Sequence, residues 1–464
     1  MKLARSVLIW LGLIWLGLIG FAGLDNVMAA EPSPFVGNAS CATSTCHGGA
    51  IGRGPAWNHS LSTWLANDPH ANAGRLLYDR DSQAIVSRLD RSASGSREAY
   101  DAVLRQRCIS CHTTATASQT AASGRLSVEF LAAGVTCESC HGAAESWLVS
   151  HTHADWDPAT NESMREMDSI IGRGETCVRC HIGSRTEDGL VRDMNHDLIA
   201  AGHPALRFDL PIYLANLPAH WDSRRDRELD ASHVRLRAVG RAINLAAAAK
   251  LSSERARDHL QDPTVPWPEL SDYDCFACHQ SLSIRDFQVP PSSKKKSPLH
   301  VSDGLPVWNS WHSVNQLELR DNVALLEKLS PHRSDPKQIA ASGQSLAIKY
   351  RKLAQQLATE TIDPRQELQS MQERLQNQPP PVDWHQAAIE YLELDALLRD
   401  LNASQAPGSL NELEHSLRFQ LEPRPDTNAS LHSPADFDSA KFRQTILRIL
   451  QSQLASTLSQ ANPE

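Results

Sequence analysis

The chain has 464 residues, a length that accommodates two or three domains. Hydrophobic residues make up 41% of it and aromatic residues only 6%, which is modest apolar material for a core built of protein alone. The formal net charge is -9, so we expect no nucleic-acid partner, because such a partner needs a phosphate-neutralising surface.

The N-terminus has the pattern of an export signal. An apolar run extends from Val7 to Leu24 after a short basic start, and the small residues Ala29 and Ala30 offer a cleavage site. We therefore predict a signal peptide over residues 1–30 and a folded part that is periplasmic or otherwise exported. Because the apolar run is nearly long enough to span a bilayer, an uncleaved membrane anchor is the alternative.

All ten cysteines fall into five close pairs, and a histidine follows the second cysteine of each pair. C-x-x-C-H is the signature of covalent haem attachment: two thiols at this spacing reach the two vinyl groups of one porphyrin, and the histidine binds the iron. The sequence therefore predicts five c-type haems. The five motifs are Cys41, Cys46 and His47; Cys108, Cys111 and His112; Cys137, Cys140 and His141; Cys177, Cys180 and His181; and Cys275, Cys278 and His279.

Other uses of paired cysteines fit this pattern poorly. Zinc ribbons need no histidine directly after each second cysteine, and five pairs would leave one pair without a partner. Redox C-x-x-C motifs belong to a thioredoxin-like βαβ context, which is not recognisable in this sequence, and disulfides would not place a histidine identically five times. The first motif has four residues between Cys41 and Cys46, and a loop of this length still reaches both vinyl groups.

The spare histidines predict the second iron ligand. Of the fifteen histidines outside the motifs, eleven lie between His59 and His312, as expected if most irons bind two histidines. His196 and His203 lie seven residues apart, and on one helix they would share a face. Only one of the neighbouring His151 and His153 is expected to reach an iron. The predicted second ligands are His70, His153, His203, His220 and His312, with His59, His151 and His196 as alternatives.

Helical patterns dominate the rest of the chain. A short helix is predicted from Glu98 to Gln106, leading into the second motif, and the longest helix from Ala231 to Gln261. From Ser313 onward the sequence has no cysteine and favours four or five helices, packed as a bundle or laid against the haem-binding part. We divide the mature chain into a pentahaem domain over residues 31–316 and a C-terminal helical domain over residues 317–464.

Three segments resemble the cytochrome c-554 family. They are the first motif followed by Trp57-Asn58-His59-Ser60, the stretch Asp68-Pro69-His70-Ala71, and the third motif from Gly134 to Gly142. The resemblance implies a mainly α-helical multihaem cytochrome c, with short helices and loops wrapped around stacked haems. Known members from nitrifying bacteria carry four haems and relay electrons. Five motifs stand here instead of four, so the pairing of haems does not transfer directly.

Two functions remain open at this point. Bis-histidine haems at this density favour an electron carrier, with other redox proteins or quinol-linked membrane complexes as partners. The alternative is a multihaem oxidoreductase of the hydroxylamine-oxidising or nitrite-reducing type, which needs one haem with an open iron site. No C-x-x-C-K motif of the nitrite-reductase kind occurs, and none of the tyrosines is marked for a haem cross-link. The carrier is therefore favoured, and membrane contact is expected only if the N-terminal segment is uncleaved.

Overall fold

A computed structural model describes most of the chain outside its N-terminus. The described residues are 35–157, 164–185, 189–221, 232–272, 335–381, 384–401, 407–417 and 438–461. The signal segment 1–30, the fifth motif and His312 lie outside these ranges.

Short helices make up the part that carries the first four motifs. They are α1 (Ser60–Asn67), α2 (Arg80–Leu89), α3 (Arg97–Arg107), α4 (Ile109–His112), α5 (Ala117–Ala121), α6 (Val128–Ala133), α7 (Cys137–His141), α8 (Ile170–His181), α9 (His196–Ala200) and α10 (Leu210–Asn216). Single 3-10 turns lie between several of them, at Asn38–Cys41, Ala56–His59, Pro69–Asn72, Arg75–Tyr78, Arg91–Ser94, Ser150–Thr152 and Leu270–Asp272. In the described ranges the only β pairing is one isolated bridge, between Ser184 and Arg192.

Longer helices follow in the second half. They are α11 (His233–Gln261), α12 (Pro336–Thr359), α13 (Pro364–Asn377), α14 (Trp384–Asp400), α15 (Pro407–Leu417) and α16 (Ser439–Ala461). A mainly α fold was predicted, and it is confirmed. Among the described helices, none is both long and apolar enough to cross a bilayer.

Local sequence places the second and fourth motifs on or directly after capped helices. The Ser96 hydroxyl accepts the Ala99 amide at the start of α3, and α3 ends at Arg107, directly before Cys108. Ser169 caps α8 in the same way, and the last turns of α8 carry the fourth motif. In both of these motifs, the two cysteines and the histidine therefore lie within about one helical turn of one another.

Helix α11 is the centre of the molecule. Seventeen of its residues are buried, including polar ones such as Asn244, Ser253 and Arg255. Its apolar side chains form one core with α8, α10 and α12, in which Ile243, Phe208 and Tyr350 are almost fully buried. The core thus joins the helix of the fourth motif to the first C-terminal helix.

The N-terminus of α11 is closed by a carboxylate from α14. Asp400 accepts hydrogen bonds from the backbone amides of His233 (2.7 Å) and Val234 (3.0 Å) and from the Ser232 hydroxyl (2.6 Å). A negative charge at this position satisfies amides that have no partner within the helix and interacts favourably with the helix dipole.

The four helices α13 to α16 form a second core around Leu368, Leu394, Phe442 and Ile446. Helix α12 also reaches the helix of the fourth motif directly, because Arg351 donates two hydrogen bonds to the Glu175 carboxylate at 2.6 and 2.9 Å. The C-terminal part therefore combines both arrangements considered from the sequence: a bundle, and a layer laid against the haem-binding part.

Candidate haem sites

Each of the four described attachment motifs presents its two cysteines and its histidine on one turn of chain. The second, third and fourth motifs lie on α4, α7 and the end of α8. The first motif follows the 3-10 turn at Asn38–Cys41, and its longer loop is fastened by Asn58, whose side-chain amide donates to the carbonyls of Ser44 (3.0 Å) and Cys46 (2.9 Å). These two hydrogen bonds fix the loop between Cys41 and Cys46 in place of the helical turn found at the other motifs.

The eight described cysteines are all free thiols, as covalent attachment to porphyrin vinyl groups requires. Burial raises the pKa of Cys108, Cys137 and Cys177 to about 12. Thiolates at metal and redox sites need the opposite shift, a lowered pKa. These three thiols therefore lack the lowered pKa of a zinc or redox site, whereas a hydrogen bond with Cys111 lowers the pKa of Cys180 to about 6.

Each described motif histidine faces a second histidine from elsewhere in the chain. The distances between ring centroids fall between 6.1 and 6.4 Å in all four cases. The four pairs are His47 with His151, His112 with His203, His141 with His220, and His181 with His70.

This separation is the one that an iron atom between two imidazoles requires. A metal–imidazole bond is about 2 Å long and a ring nitrogen lies about 1 Å from its ring centroid, so two axial histidines have centroids roughly 6 Å apart. Aromatic rings in direct contact also have centroids about 4.5–7 Å apart. What favours iron ligation is that all four described motif histidines have such a partner ring, at nearly the same distance.

Backbone and side-chain oxygens orient most of these imidazoles. A backbone carbonyl can only accept, so an Nδ1 bonded to it carries the proton and Nε2 keeps its lone pair for a metal. Six of the eight rings have such an Nδ1 contact: His47 to the Trp57 carbonyl (2.7 Å), His112 to Ala73 (3.1 Å), His151 to Trp147 (3.3 Å), His203 to Pro204 (2.9 Å), His220 to Pro218 (3.1 Å), and His70 to the Asp68 carboxylate (2.8 Å).

The rings of His141 and His181 have no such contact, and their pKa values are lowered the most. Burial lowers the pKa of His141 to about 4, with the nearby His220 adding to the effect, and lowers that of His181 to about 4. His181 packs on the rings of Phe208 and Tyr213. A neutral imidazole is the form that binds iron, so burial prepares both rings for ligation.

Two buried nitrogens at these sites have no partner in the described part of the protein. They are Nδ1 of His141 and the indole nitrogen of Trp147, a side chain that is 7% exposed and lies edge-on to His151 at 5.4 Å. Buried donors are normally satisfied. A haem brings carboxylate groups that accept hydrogen bonds, so these orphaned donors fit a site completed by the cofactor.

The four sites lie next to one another in space. The thiols of Cys111 and Cys180, from the second and fourth motifs, hydrogen-bond to each other. Cys41 and Cys137 of the first and third motifs interact electrostatically, as do His47 and His141. Cys140 of the third motif interacts in the same way with Cys177 and Cys180 of the fourth. The attachment points are therefore close in three combinations: first with third, second with fourth, and third with fourth.

The structure differs from the sequence prediction at one of the second histidines. His153 was chosen as the ligand of its neighbouring pair, whereas the ring beside His47 is that of His151. The sequence left open whether His196 and His203 share one helix, and they do not, because α9 ends at Ala200. Gly202 has a φ of 110°, and the His203 amide bonds to the Leu198 carbonyl in the manner of a Schellman turn. His203 therefore leaves the helix and reaches His112.

The other predicted site residues fall into two groups: those that lie opposite a motif histidine, and those that lie outside the described residues. The rings of His70, His203 and His220 each lie opposite a motif histidine. Cys275, Cys278, His279 and His312 lie outside the described residues. The sequence reasoning did not consider Asp68 as the partner of His70, although Asp-Pro-His has the pattern of a helix N-cap followed by proline, which brings the carboxylate to the His70 amide.

These features define a protein that binds c-type haem with its iron, through free thiol pairs and paired histidines in a mainly helical fold. Residues 40–142, which contain the first three motifs, match the family described as cytochrome c554 and c-prime. The match over this segment supports the cytochrome c-554 family, as the sequence motifs indicated. It is a haem-containing electron-transfer protein. No curated protein and no solved structure matches the chain.

Proposed function

We propose that the protein is an exported electron carrier with five covalently bound haems, which passes electrons between redox partners without transforming a substrate itself. The observation that carries this proposal is the set of four histidine pairs. At each described motif a second imidazole lies 6.1 to 6.4 Å from the motif histidine, so a haem bound there would find both of its iron ligands in the protein.

The axial ligands follow from these pairs. His151 serves the first haem, His203 the second, His220 the third and His70 the fourth. For the fifth haem, bound through Cys275, Cys278 and His279, His312 stays the proposed second ligand, and this assignment rests on the sequence alone.

When bound, each haem supplies an iron that holds or releases one electron. The protein's own residues keep that exchange reversible. Two imidazoles held by the protein would give the iron the same ligands in both oxidation states, so little rearrangement would accompany the transfer of an electron. The contact of Cys111 with Cys180 brings the second and fourth attachment points together, which would shorten the transfer step between them.

The oxidoreductase alternative needs an iron with one protein ligand and an open position for substrate. The described sites favour the carrier, because each of the four motif histidines already has a partner ring. Carbon monoxide tests the difference, since it binds ferrous haem only at an open or readily vacated position. A carrier binds little carbon monoxide after reduction, whereas binding equivalent to one haem per chain would support the enzyme.

Mass spectrometry of the denatured protein tests the number of haems. Thioether bonds survive denaturation, so five haem masses above the mass of the processed polypeptide are expected. The double variant Cys41→Ser/Cys46→Ser should lose one haem mass, and Cys275→Ser/Cys278→Ser should lose one as well. A wild-type protein with four haems, unchanged in one of these variants, would refute the pentahaem assignment.

The cellular location is part of the proposal. An apolar run followed by Ala29 and Ala30 supports export, with cleavage before Glu31. Redox proteins or quinol-linked membrane complexes are the proposed partners. Sequencing of the mature N-terminus distinguishes a cleaved signal, which yields Glu31 as the first residue, from a retained anchor, which yields Met1.

A further inference from the structure

One ligand histidine has a different kind of hydrogen-bond partner from the others. The Nδ1 atoms of His47, His112, His151, His203 and His220 each contact a backbone carbonyl, and that of His47 also contacts the Ser60 hydroxyl. His70 alone among the described ligand histidines places Nδ1 against a carboxylate, Oδ1 of Asp68, at 2.8 Å. A neutral acceptor is thus replaced by a formally anionic one at one haem.

The Asp68 carboxylate is buried and held firmly. Asp68 is 5% exposed, and it accepts the His70 amide at 2.9 Å as the N-cap of the turn Pro69–Asn72. The His70 carbonyl in turn accepts the Val135 amide at 3.0 Å. The carboxylate therefore cannot swing away from the imidazole without dismantling the turn.

The same local motif occurs without a histidine at Asp90. Asp90 caps the 3-10 turn Arg91–Ser94 and accepts the Ser92 amide at 2.8 Å, but its second contact goes to the Ser92 hydroxyl at 2.7 Å. Both capping aspartates therefore contact the amide and the side chain of the residue two positions on. At Asp68 that side chain is the imidazole of a proposed iron ligand.

A carboxylate that accepts the Nδ1 proton makes an imidazole a stronger electron donor through Nε2. Stronger donation stabilises ferric iron, which has one more positive charge than ferrous iron. Burial strengthens the effect, because the charge of Asp68 is poorly screened by water.

We propose that Asp68 tunes the haem attached at Cys177 and Cys180, lowering its reduction potential through His70. Asp68 is a positioning residue: it touches the ligand and not the iron. This inference rests on the proposed function, in which His70 and His181 bind the iron of that haem. The fourth haem then retains its electron less readily than it would with a neutral acceptor.

Replacement of Asp68 by asparagine tests this role. Asp68→Asn keeps an oxygen that can cap the turn and accept the Nδ1 proton, but removes the negative charge. In a spectroelectrochemical titration of the intact holoprotein, one component should move to higher potential by about 59 mV, a tenfold change in the equilibrium constant of a one-electron couple. The other components should stay in place. Asp90→Asn is the matched control, with the same change of charge at an exposed cap, and should shift none.

The result that overturns the proposal is an unchanged set of potentials in Asp68→Asn with all haems bound and low-spin. If asparagine displaces His70, which appears as a new high-spin signal, Asp68→Ser supplies a second neutral cap. Displacement in both variants overturns the proposal, because Asp68 would then only hold the ligand in place. If His70 is not an iron ligand at all, a different result is expected: His70→Ala would leave every ferric haem of the otherwise native protein low-spin.

Discussion

The rings of His47 and His151 lie nearly parallel, with 13° between their planes and 6.2 Å between their centroids. The other three pairs are crossed, at 74° to 84°. If these pairs hold iron as proposed, the haem at Cys41 and Cys46 would have parallel ligands, and the haems at the other three described motifs would have crossed ones. Parallel imidazoles separate the energies of two iron d orbitals that crossed imidazoles leave nearly equal, so the two kinds are distinguishable by spectroscopy.

The choice between His151 and His153 gives the sharpest test of one pair. His151→Ala should leave the first haem with one protein ligand, so the ferric protein gains a high-spin signal equivalent to one haem and the reduced protein binds one carbon monoxide. His153→Ala is the matched control, two residues away, and should change neither. If the effects of the two substitutions are reversed, the ligand is His153.

Gly134 has a conformation that supports the His70 turn. Its φ is 63°, and a Cβ placed there would lie 2.6 Å from the His70 carbonyl oxygen and 2.7 Å from that of Ala71. Gly134→Ala should therefore combine backbone strain with a clash and lower the free energy of unfolding by about 2–4 kcal/mol. Gly124 has a φ of 85° with open space around it, so Gly124→Ala should cost only the strain, about 1 kcal/mol. Equal losses in denaturant unfolding would contradict the clash.

The carboxylate of Asp400 should stabilise the central helix α11 in a pH-dependent way. Hydrogen bonds from Ser232, His233 and Val234 outweigh burial and hold the pKa of Asp400 below its usual value. Since the folded pKa lies below the unfolded one, about 3.9, the stabilisation is complete at neutral pH and is lost as the pH falls through the folded pKa.

Asp400→Asn should therefore lower the free energy of unfolding by about 1–2 kcal/mol at pH 7, with a smaller loss below about pH 4. Asp395→Asn, on the same helix, removes only a contact with the 59%-exposed side chain of Arg399 and should cost about 0.5 kcal/mol. A loss from Asp400→Asn that is the same at pH 7 and pH 3 would show that the charge contributes nothing.

A buried ion cluster on α11 should contribute far more than a surface pair. Arg255 is 7% exposed at its side chain and bonds to the carboxylates of Asp193 and Asp272, which are equally buried. Arg255→Met leaves two buried carboxylates without this partner and should cost about 3–5 kcal/mol in thermal or denaturant unfolding. Arg448→Met breaks an exposed pair with Glu412 and should cost at most about 1 kcal/mol. Similar costs would mean that water reaches the cluster.

The parts of this protein governed by local sequence were predictable. Helix α3 was expected from Glu98 to Gln106 and runs from Arg97 to Arg107, and the long helix expected to end at Gln261 does so. Caps and helical spacing act within a few residues, so the sequence displays them directly.

The pairing of histidines was predictable only in part. Histidine-rich segments identified His70, His203 and His220, because iron must draw its second ligand from a limited supply. Which motif each ring would face depends on contacts between residues about 80 to 110 positions apart, and no local pattern encodes those. His151 and His153 show the limit: they are two residues apart in the sequence, and it is the ring of His151 that faces His47.

Electron paramagnetic resonance of the fully oxidised protein tests most directly that the haems are bis-histidine electron carriers. The account predicts low-spin signals only: one rhombic set from the parallel His47–His151 pair, strongly anisotropic signals from the three crossed pairs, and a further low-spin signal from the fifth haem. The His47–His151 signal should disappear in His151→Ala and persist in His153→Ala. A high-spin component in the wild-type protein, equivalent to one haem or more and responsive to nitric oxide or hydroxylamine, would contradict the carrier and favour an enzyme with an open iron site.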